Sequence, residues 1–317
     1  MHMIEPIAYF TGTISGNVLT VSAVTTPPTG YSAYYGPILP NYVLTGIGIT
    51  WSGGTPPGFP GVVSQLSGKP GGVGTYQLDR FLTVATTTMY GRPPTNAVWV
   101  KSDGGSQFNH FEQWGSYDGY LAQPPKGQTV FAQFLSDDVW DTNALNNMML
   151  DARLGGSIAS IFCTPCWANW GGNTGLTAIG TAGTGLAGTV NGIDLMGGQY
   201  NNNSYQGIYL GPYVSNVTIH TKVQDNSFPT VGGLALGSAG IEIAGAKHVA
   251  IDGSIIGNSG QYGTIQKNSV NIDSASDYIG ISGGDLSTFG TGGVAVNDTS
   301  SSPNNKVCGV LGAASNC

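Results

Sequence analysis

The side chains whose types and spacing could do chemistry fall in separate stretches of the chain. Glu242 and Asp252, followed by Asp273, Asp277 and Asp285, are carboxylates of the kind that cleave a glycosidic bond. That reaction needs a proton donor and a second carboxyl acting as base or nucleophile, about 5–10 Å apart. Cys163 and Cys166 form a CxxC, a spacing used in thiol redox chemistry and in half of a zinc site. His110 and Glu112 lie inside an aromatic run from Phe108 to Tyr120 that could offer a flat platform to a sugar.

Each group has a plainer reading. Exposed Asp and Glu are ordinary, so solvation is the commoner fate of the carboxylates. The CxxC has no second CxxC or His pair at metal spacing and no βαβ context, which points to structural cysteines, reduced or locally bridged, and to no metal and no cofactor. Cys308 and Cys317 are a further pair that could pin the C-terminal tail. The aromatic run fits core or interface packing, and on a strand His110 and Glu112 would point away from Phe111.

Composition narrows the frame that must hold these groups. Charged residues make up only 9% of the 317 residues, while Gly numbers 51, against roughly a quarter charged in ordinary soluble domains. Such a chain cannot be a helical protein laced with ion pairs. It suits an all-β fold, with Gly and Asn in turns and Thr and Val in strands. The net charge of −7 comes with scattered Lys and Arg, so no basic stripe exists to neutralise a phosphate backbone and nucleic acid is not an expected partner. No run of about 18 apolar residues is present for membrane insertion, and Met1–Pro6 lacks the basic and apolar regions of a secretory signal.

Residues 1–90 read as a small β-sandwich or barrel. Ile14, Leu19, Val21 and Ala23 mark a hairpin around Ser15-Gly16-Asn17, and strands follow at Val43–Ile49 and Gly71–Leu78. The text Phe10-Thr11-Gly12-x-Ile14-Ser15-Gly16-x-x-Leu19-Thr20-Val21, with Gly72-Val73-Gly74-Thr75-Tyr76 and Thr83–Met89, resembles a repeated β-module of phage structural proteins. It departs from that module where Tyr31, Tyr34 and Tyr35 stand. These rings could stack on sugars or dock a neighbour, although filling the module's own core is the commoner role. The resemblance implies a virion attachment or interaction role for this module, and residues 91–135 read as a connecting β region.

From Ser136 to Leu154 the apolar positions Val139, Leu145, Met148, Met149, Ala152 and Leu154 have helical spacing. Asp137, Asp138 and Asp141 stand near the helix start and Gly155-Gly156 follows its end. The segment Asp141-Thr142-x-Ala144-Leu145-x-x-Met148-x-Leu150-Asp151-Ala152-x-x-Gly155-Gly156, followed by a strand, is similar to the opening of pectate-lyase-like β-helices in phage tail spikes. There an amphipathic helix caps the N-terminal end of the solenoid. The resemblance thus implies a capping helix and a right-handed parallel β-helix over residues 136–317.

Internal repeats agree with a solenoid. Ile193-Asp194-Leu195, Val217-Thr218-Ile219, Val249-Ala250-Ile251 and Ile279-Gly280-Ile281 recur at a spacing within the 20–50 residues of solenoid repeats, and Val307–Val310 continues the column. A second column runs through Ile208-Tyr209-Leu210, Ile241-Glu242-Ile243, Val270-Asn271-Ile272 and Val294-Ala295-Val296. Asn202, Asn226 and Asn258, with Thr288, fall at matching offsets and predict an asparagine ladder at a coil turn. The length leaves room for about five rungs, a short solenoid. Period-two alternation turns Tyr209, Glu242, Asn271 and Ala295 outward in one column, and His220, Asp252 and Ser282 in another. Tyr209, Glu242, Asn271, His220 and Asp252 are therefore the candidate binding residues, with Glu242 and Asp252 the candidate catalytic pair.

What the resemblance implies is a bacteriophage tail spike or tail fibre on the virion, a homotrimer. Its partners would be other virion proteins and a host-surface polysaccharide, which it recognises during adsorption. The alternatives are a polysaccharide lyase or hydrolase of the same superfamily, or a purely structural decoration protein. No acidic column repeats along the rungs, which weighs against the enzyme.

Overall fold

The computed structural model describes residues 2–4, 8–24, 36–46, 49, 60–92, 96–114, 116–141, 143, 146–182, 185, 187–227, 239–261 and 265–317. Tyr31, Tyr34 and Tyr35 lie outside them.

From Val98 onward the chain is a parallel β-helix of about 7 turns, longer than the expected five rungs. Each full coil lays three strands on three faces, as in Met148–Asp151, Ser157–Cys163 and Cys166–Asn169. We call the faces carrying Ser157–Cys163, Cys166–Asn169 and Met148–Asp151 the first, second and third. The third is an eight-stranded parallel sheet running from Val98–Val100 to Val296–Asp298. The other two merge into one 14-stranded sheet, because strands such as Thr189–Gln199 run on round the corner and pair with both faces of the coil below. Gly198 makes that turn possible: its φ is +74°, and a Cβ there would stand 1.9 Å from the Cys166 carbonyl oxygen.

The expected register holds through the central rungs. Val217 pairs with Val249 and Val249 with Ile279, while Ile208 pairs with Ile241 and Ile241 with Val270. Every one of these side chains is buried, so alternate residues supply a continuous apolar column and their neighbours face outward.

The expected capping helix is absent. The described residues of 136–154 form the end of Thr129–Ser136, then Asp138–Asp141 and Met148–Asp151, and no helix occurs anywhere among the described residues. Of the positions that read as helical, Val139 stands on one strand and Met148 and Met149 on the next, either side of an asparagine corner, Ala152 and Leu154 follow in the turn, and Leu145 lies outside the described residues. Trp140, Met148 and Leu150 are buried, whereas Val139 is half-buried on the second face. The backbone hydrogen bonds go to neighbouring rungs: Tyr120 N donates to Asn147 O and Met148 N to Gly175 O. Asn143, Asn146 and Asn147 in the middle are poor helix formers and good corner residues. Asp138 does not face a helix N-terminus; its Oδ1 accepts from Phe111 N at 2.8 Å. The lower rungs are filled instead by a cluster of rings in which Trp140 meets Phe111 and Tyr120 at centroid distances of 4.8 and 5.6 Å. Of residues 91–135, expected as a connector, 98–135 supply strands to these rungs.

The asparagine ladder runs at the corner between the second and third faces and includes the predicted Asn226 and Asn258, with Asn203 in place of Asn202. Asn143 Nδ2 donates to Asn147, Asn147 Nδ2 to Asn203, and Asn203 Nδ2 to Asn226 at 2.9 Å. Asn226 Nδ2 then reaches Gln266 Oε1 at 3.3 Å. Asn258 Oδ1 accepts from Gln266 N, and Asn258 Nδ2 donates to Thr288 O, both at 2.9 Å. Asn202 is not a member: it takes a positive φ of 58° in the turn, and its buried Oδ1 has no partner. Nor does Asn226 bond Asn258 directly, since Gln266 stands between them. Asn226→Leu and Asn258→Leu should each lower stability by about 1–3 kcal/mol, by leaving buried ladder partners unsatisfied. Chemical denaturation showing both unchanged would remove the ladder from the account of stability.

The N-terminal module is a four-stranded antiparallel sheet with a core of its own around Phe10, Leu19, Leu44, Tyr76 and Met89. The hairpin expected at Gly16 is not formed. Ala8–Val24 is one continuous 17-residue strand against Gly74–Arg92. Gly16, at φ +63°, sits at a register shift between Gly16 and Val18, so its left-handed backbone makes an irregularity in a long strand and not a chain reversal.

Candidate functional site

The outer surface of the third face gathers three of the predicted residues. Tyr209 pairs with Glu242 and Glu242 with Asn271, so the side chains stack on successive rungs. All are half-buried. Asn271 Nδ2 donates to Glu242 Oε2 at 2.8 Å, and Asn268 Nδ2 donates to Asn271 Oδ1 at 2.8 Å. The next residue in the column is Asn297, which pairs with Asn271. Ala295, expected there, is buried: Val296 and not Val294 pairs with Val270, so the rung starts two residues later and Ala295 stands before the strand Val296–Asp298.

Burial raises the Glu242 carboxyl above its ordinary range; the Asn271 amide opposes this and Asp273 adds to it. Burial likewise raises the Tyr209 phenol, with Glu242 and Asp273 contributing. A carboxyl and a phenol that resist ionisation, beside two amides, offer donors and acceptors suited to hydroxyl groups.

His220 and Asp252 lie elsewhere. Both are on the first face, where Asp252 pairs with Ser282 and Asp252 Oδ1 accepts from Ser282 Oγ at 2.9 Å. His220 Nδ1 is 2.7 Å from the Asp252 backbone oxygen, a carbonyl that can only accept, so Nδ1 carries the proton. The two candidate catalytic carboxylates therefore do not form a pair: Glu242 is on the third face and Asp252 on the first face of the same coil. Ten residues of sequence suggest neighbours, but the corner at Gly245 turns the chain between them. Asp273 is the carboxylate whose charge reaches Glu242, and it is held by Ser276 Oγ at 2.8 Å.

Of a second cluster the sequence singled out His110 and Glu112 and missed the residues that complete it. His110, Glu112, Asp137, Val139, Trp167 and Asn169 line a cleft of about 320 Å³ on the second face. The register explains it: Glu112 pairs with Val139 and Val139 with Trp167, and His110 Nδ1 lies 2.5 Å from Asp137 Oδ2. The signal that could have found it is the recurrence of outward residues once residues 98–135 are read as rungs.

Cys163 and Cys166 are joined in a disulfide at the corner between the first and second faces, and Cys308 is joined to Cys317. Among the described residues no group of three or more His, Cys, Asp or Glu is placed to hold a metal ion.

The chain matches no family model and no curated protein. Among solved structures it is similar to the A-module of the mannuronan C-5 epimerase AlgE6 of Azotobacter vinelandii, at 17% identity and a TM-score of 0.41, covering 68% of this chain and 66% of that module. It is also similar to the catalytic domain of a GH87 alpha-1,3-glucanase, described in complex with nigerose, at 10–11% identity and a TM-score of 0.19, covering 90% of this chain and 66% of that one. Neither likeness bears on activity.

Proposed function

We propose that this protein is a virion appendage of the tail-spike or tail-fibre kind, which binds a host-surface polysaccharide on the outside of its β-helix and does not cleave it. The observation that carries the glycan part is the Tyr209–Glu242–Asn271 column, a row of hydrogen-bonding groups in register on the outside of the third face. Successive rungs stand about 4.8 Å apart, close to the length of one sugar residue, so such a column can meet a chain of hydroxyls repeatedly. The virion assignment rests on the resemblance of Phe10–Val21, Gly72–Tyr76 and Thr83–Met89 to a phage structural β-module, and a homotrimer and attachment to other virion proteins belong to the same proposal.

The test uses the whole protein with purified surface polysaccharide from the host. Wild type should be retained on immobilised polysaccharide, and Tyr209→Ala with Asn271→Ala should weaken retention about tenfold without changing the melting temperature by more than a few degrees. Retention equal in variant and wild type would remove this column from recognition. One observation favours the depolymerase reading, the raised carboxyl of Glu242 with Asp273 nearby. New reducing ends or unsaturated products, lost in Glu242→Gln, would establish that reading in place of simple binding.

A further inference from the structure

We infer that the second-face cleft is a saccharide subsite that selects neutral or amino-bearing hexopyranose units and rejects uronates. The inference rests on the glycan-recognition reading above and names a separate site for it. A pyranose has one apolar face of C–H groups and a rim of hydroxyls. It therefore needs a flat π surface beside hydrogen-bonding groups, in a concave place. Trp167 supplies the indole, half-buried on the strand Cys166–Asn169, and Glu112, Asp137, His110 and Asn169 supply the polar wall.

The disulfide at Cys163–Cys166 fixes the corner immediately before Trp167, so the ring is presented by a pinned backbone with little ordering to do on binding. Beyond that corner the first face shows Phe134 stacked on Phe162, with centroids 5.0 Å apart and planes within 12°. Phe134 remains 44% exposed, which leaves apolar surface on which a second sugar unit could continue.

Charge sets the selectivity. Two carboxylates, Glu112 and Asp137, line the cleft, and His110 Nδ1 lies 2.5 Å from Asp137 Oδ2. The protein as a whole carries a net charge of −7. An incoming carboxylate would meet like charge at short range, whereas a hydroxyl or ammonium finds acceptors.

The experiment is titration of the whole protein, followed by intrinsic tryptophan fluorescence and calorimetry, with three probes of equal length. These are tetramers of glucose, of glucosamine and of galacturonate. Wild type should bind the first two with indole quenching and the third at least tenfold more weakly. Trp167→Ala should abolish the quenching and lower affinity at least tenfold, and Trp167→Phe should recover part of the affinity without the quenching, with melting unchanged in both. Glu112→Gln combined with Asp137→Asn should bring galacturonate to within about threefold of glucose; Asn tolerates the positive φ of 56° at position 137.

Equal binding of all three probes by wild type, or undiminished binding by Trp167→Ala, overturns the inference. If Trp167→Ala still binds host polysaccharide while Tyr209→Ala with Asn271→Ala does not, the cleft fails and the recognition reading stands. If wild type binds none of the probes and no host polysaccharide, both fail together.

Discussion

Ile251→Asp is expected to prevent the β-helix from folding cooperatively. Ile251 is 1% exposed and stands in the interior between Ile219 and Ile281 on the rungs either side. A carboxylate at that position has no partner among the apolar side chains around it. Burying it unpaired costs several kcal/mol, a large share of the 5–15 kcal/mol that holds a typical domain together. Two controls separate this from general fragility. Ile251→Val removes one methylene and should cost about 0.5–1.5 kcal/mol. Ala250→Asp places the same carboxylate on the exposed outer side of the same strand and should shift stability by no more than about 0.5 kcal/mol. Circular dichroism and thermal melting would show the contrast. An Ile251→Asp protein that melts with wild type, or an Ala250→Asp protein that does not fold, would put the wrong residues inside.

The upper rungs were readable because their interiors are filled by one kind of side chain at constant offsets. Ile208-Tyr209-Leu210, Ile241-Glu242-Ile243 and Val270-Asn271-Ile272 align by eye, and they pair in that register. The lower rungs use Tyr120, Trp140, Met148 and Leu150 for the same purpose. Large unlike side chains hide the two-residue period, and with the acids and glycines around them they imitate a capped helix. The ladder was misplaced by one position at Asn201-Asn202-Asn203, where sequence offers three amides and only the direction of each side chain selects Asn203.

The candidate sites divide along the same line. Tyr209, Glu242 and Asn271 were legible because they sit in well-patterned strands. The pairing of Glu242 with Asp252 failed because closeness along a solenoid coil is not closeness on a face: a few residues of turn carry the chain round a corner. Of the cleft around Trp167 only His110 and Glu112 were legible, because its members come from three successive lower coils. Their register depends on the rungs that were not recognised.

Asp118→Asn is expected to stabilise the protein at pH 8 and to leave it nearly unchanged at pH 4.5. Asp118 is 4% exposed. Burial pushes its carboxyl up to about 7, against the pull of the Asn146 side-chain and backbone bonds, with Asp151 raising it further and Arg153 lowering it. The unfolded carboxyl has a pKa near 3.9. A folded value above the unfolded one means that the native state holds the proton more tightly. The stabilising contribution is then complete below about pH 4 and disappears as pH rises to about 7. A shift of this size corresponds to on the order of 4 kcal/mol of stability lost across that window.

Asp151 works in the opposite sense. Burial acts against ionisation there too, but Arg153, bound to both oxygens at 2.8 and 2.9 Å, holds the carboxyl below its ordinary value. Its contribution is therefore present at neutral pH and fades only in acid. Asp118 therefore gives stability a downward slope towards pH 7, and Asp138 and Glu242, also held above their ordinary range by burial, act in the same sense. An asparagine keeps the oxygen that accepts from Asn146 N and Nδ2 at 3.1 and 3.0 Å while carrying no charge to bury. The expected gain at pH 8 is several degrees in Tm, with a flatter profile from pH 5 to 8. Asp118→Ala removes the acceptor as well and should destabilise at both ends of the range, by about 1–3 kcal/mol at pH 4.5. Parallel pH profiles for wild type and Asp118→Asn would mean that the carboxyl titrates at an ordinary value and that water reaches this corner of the third face.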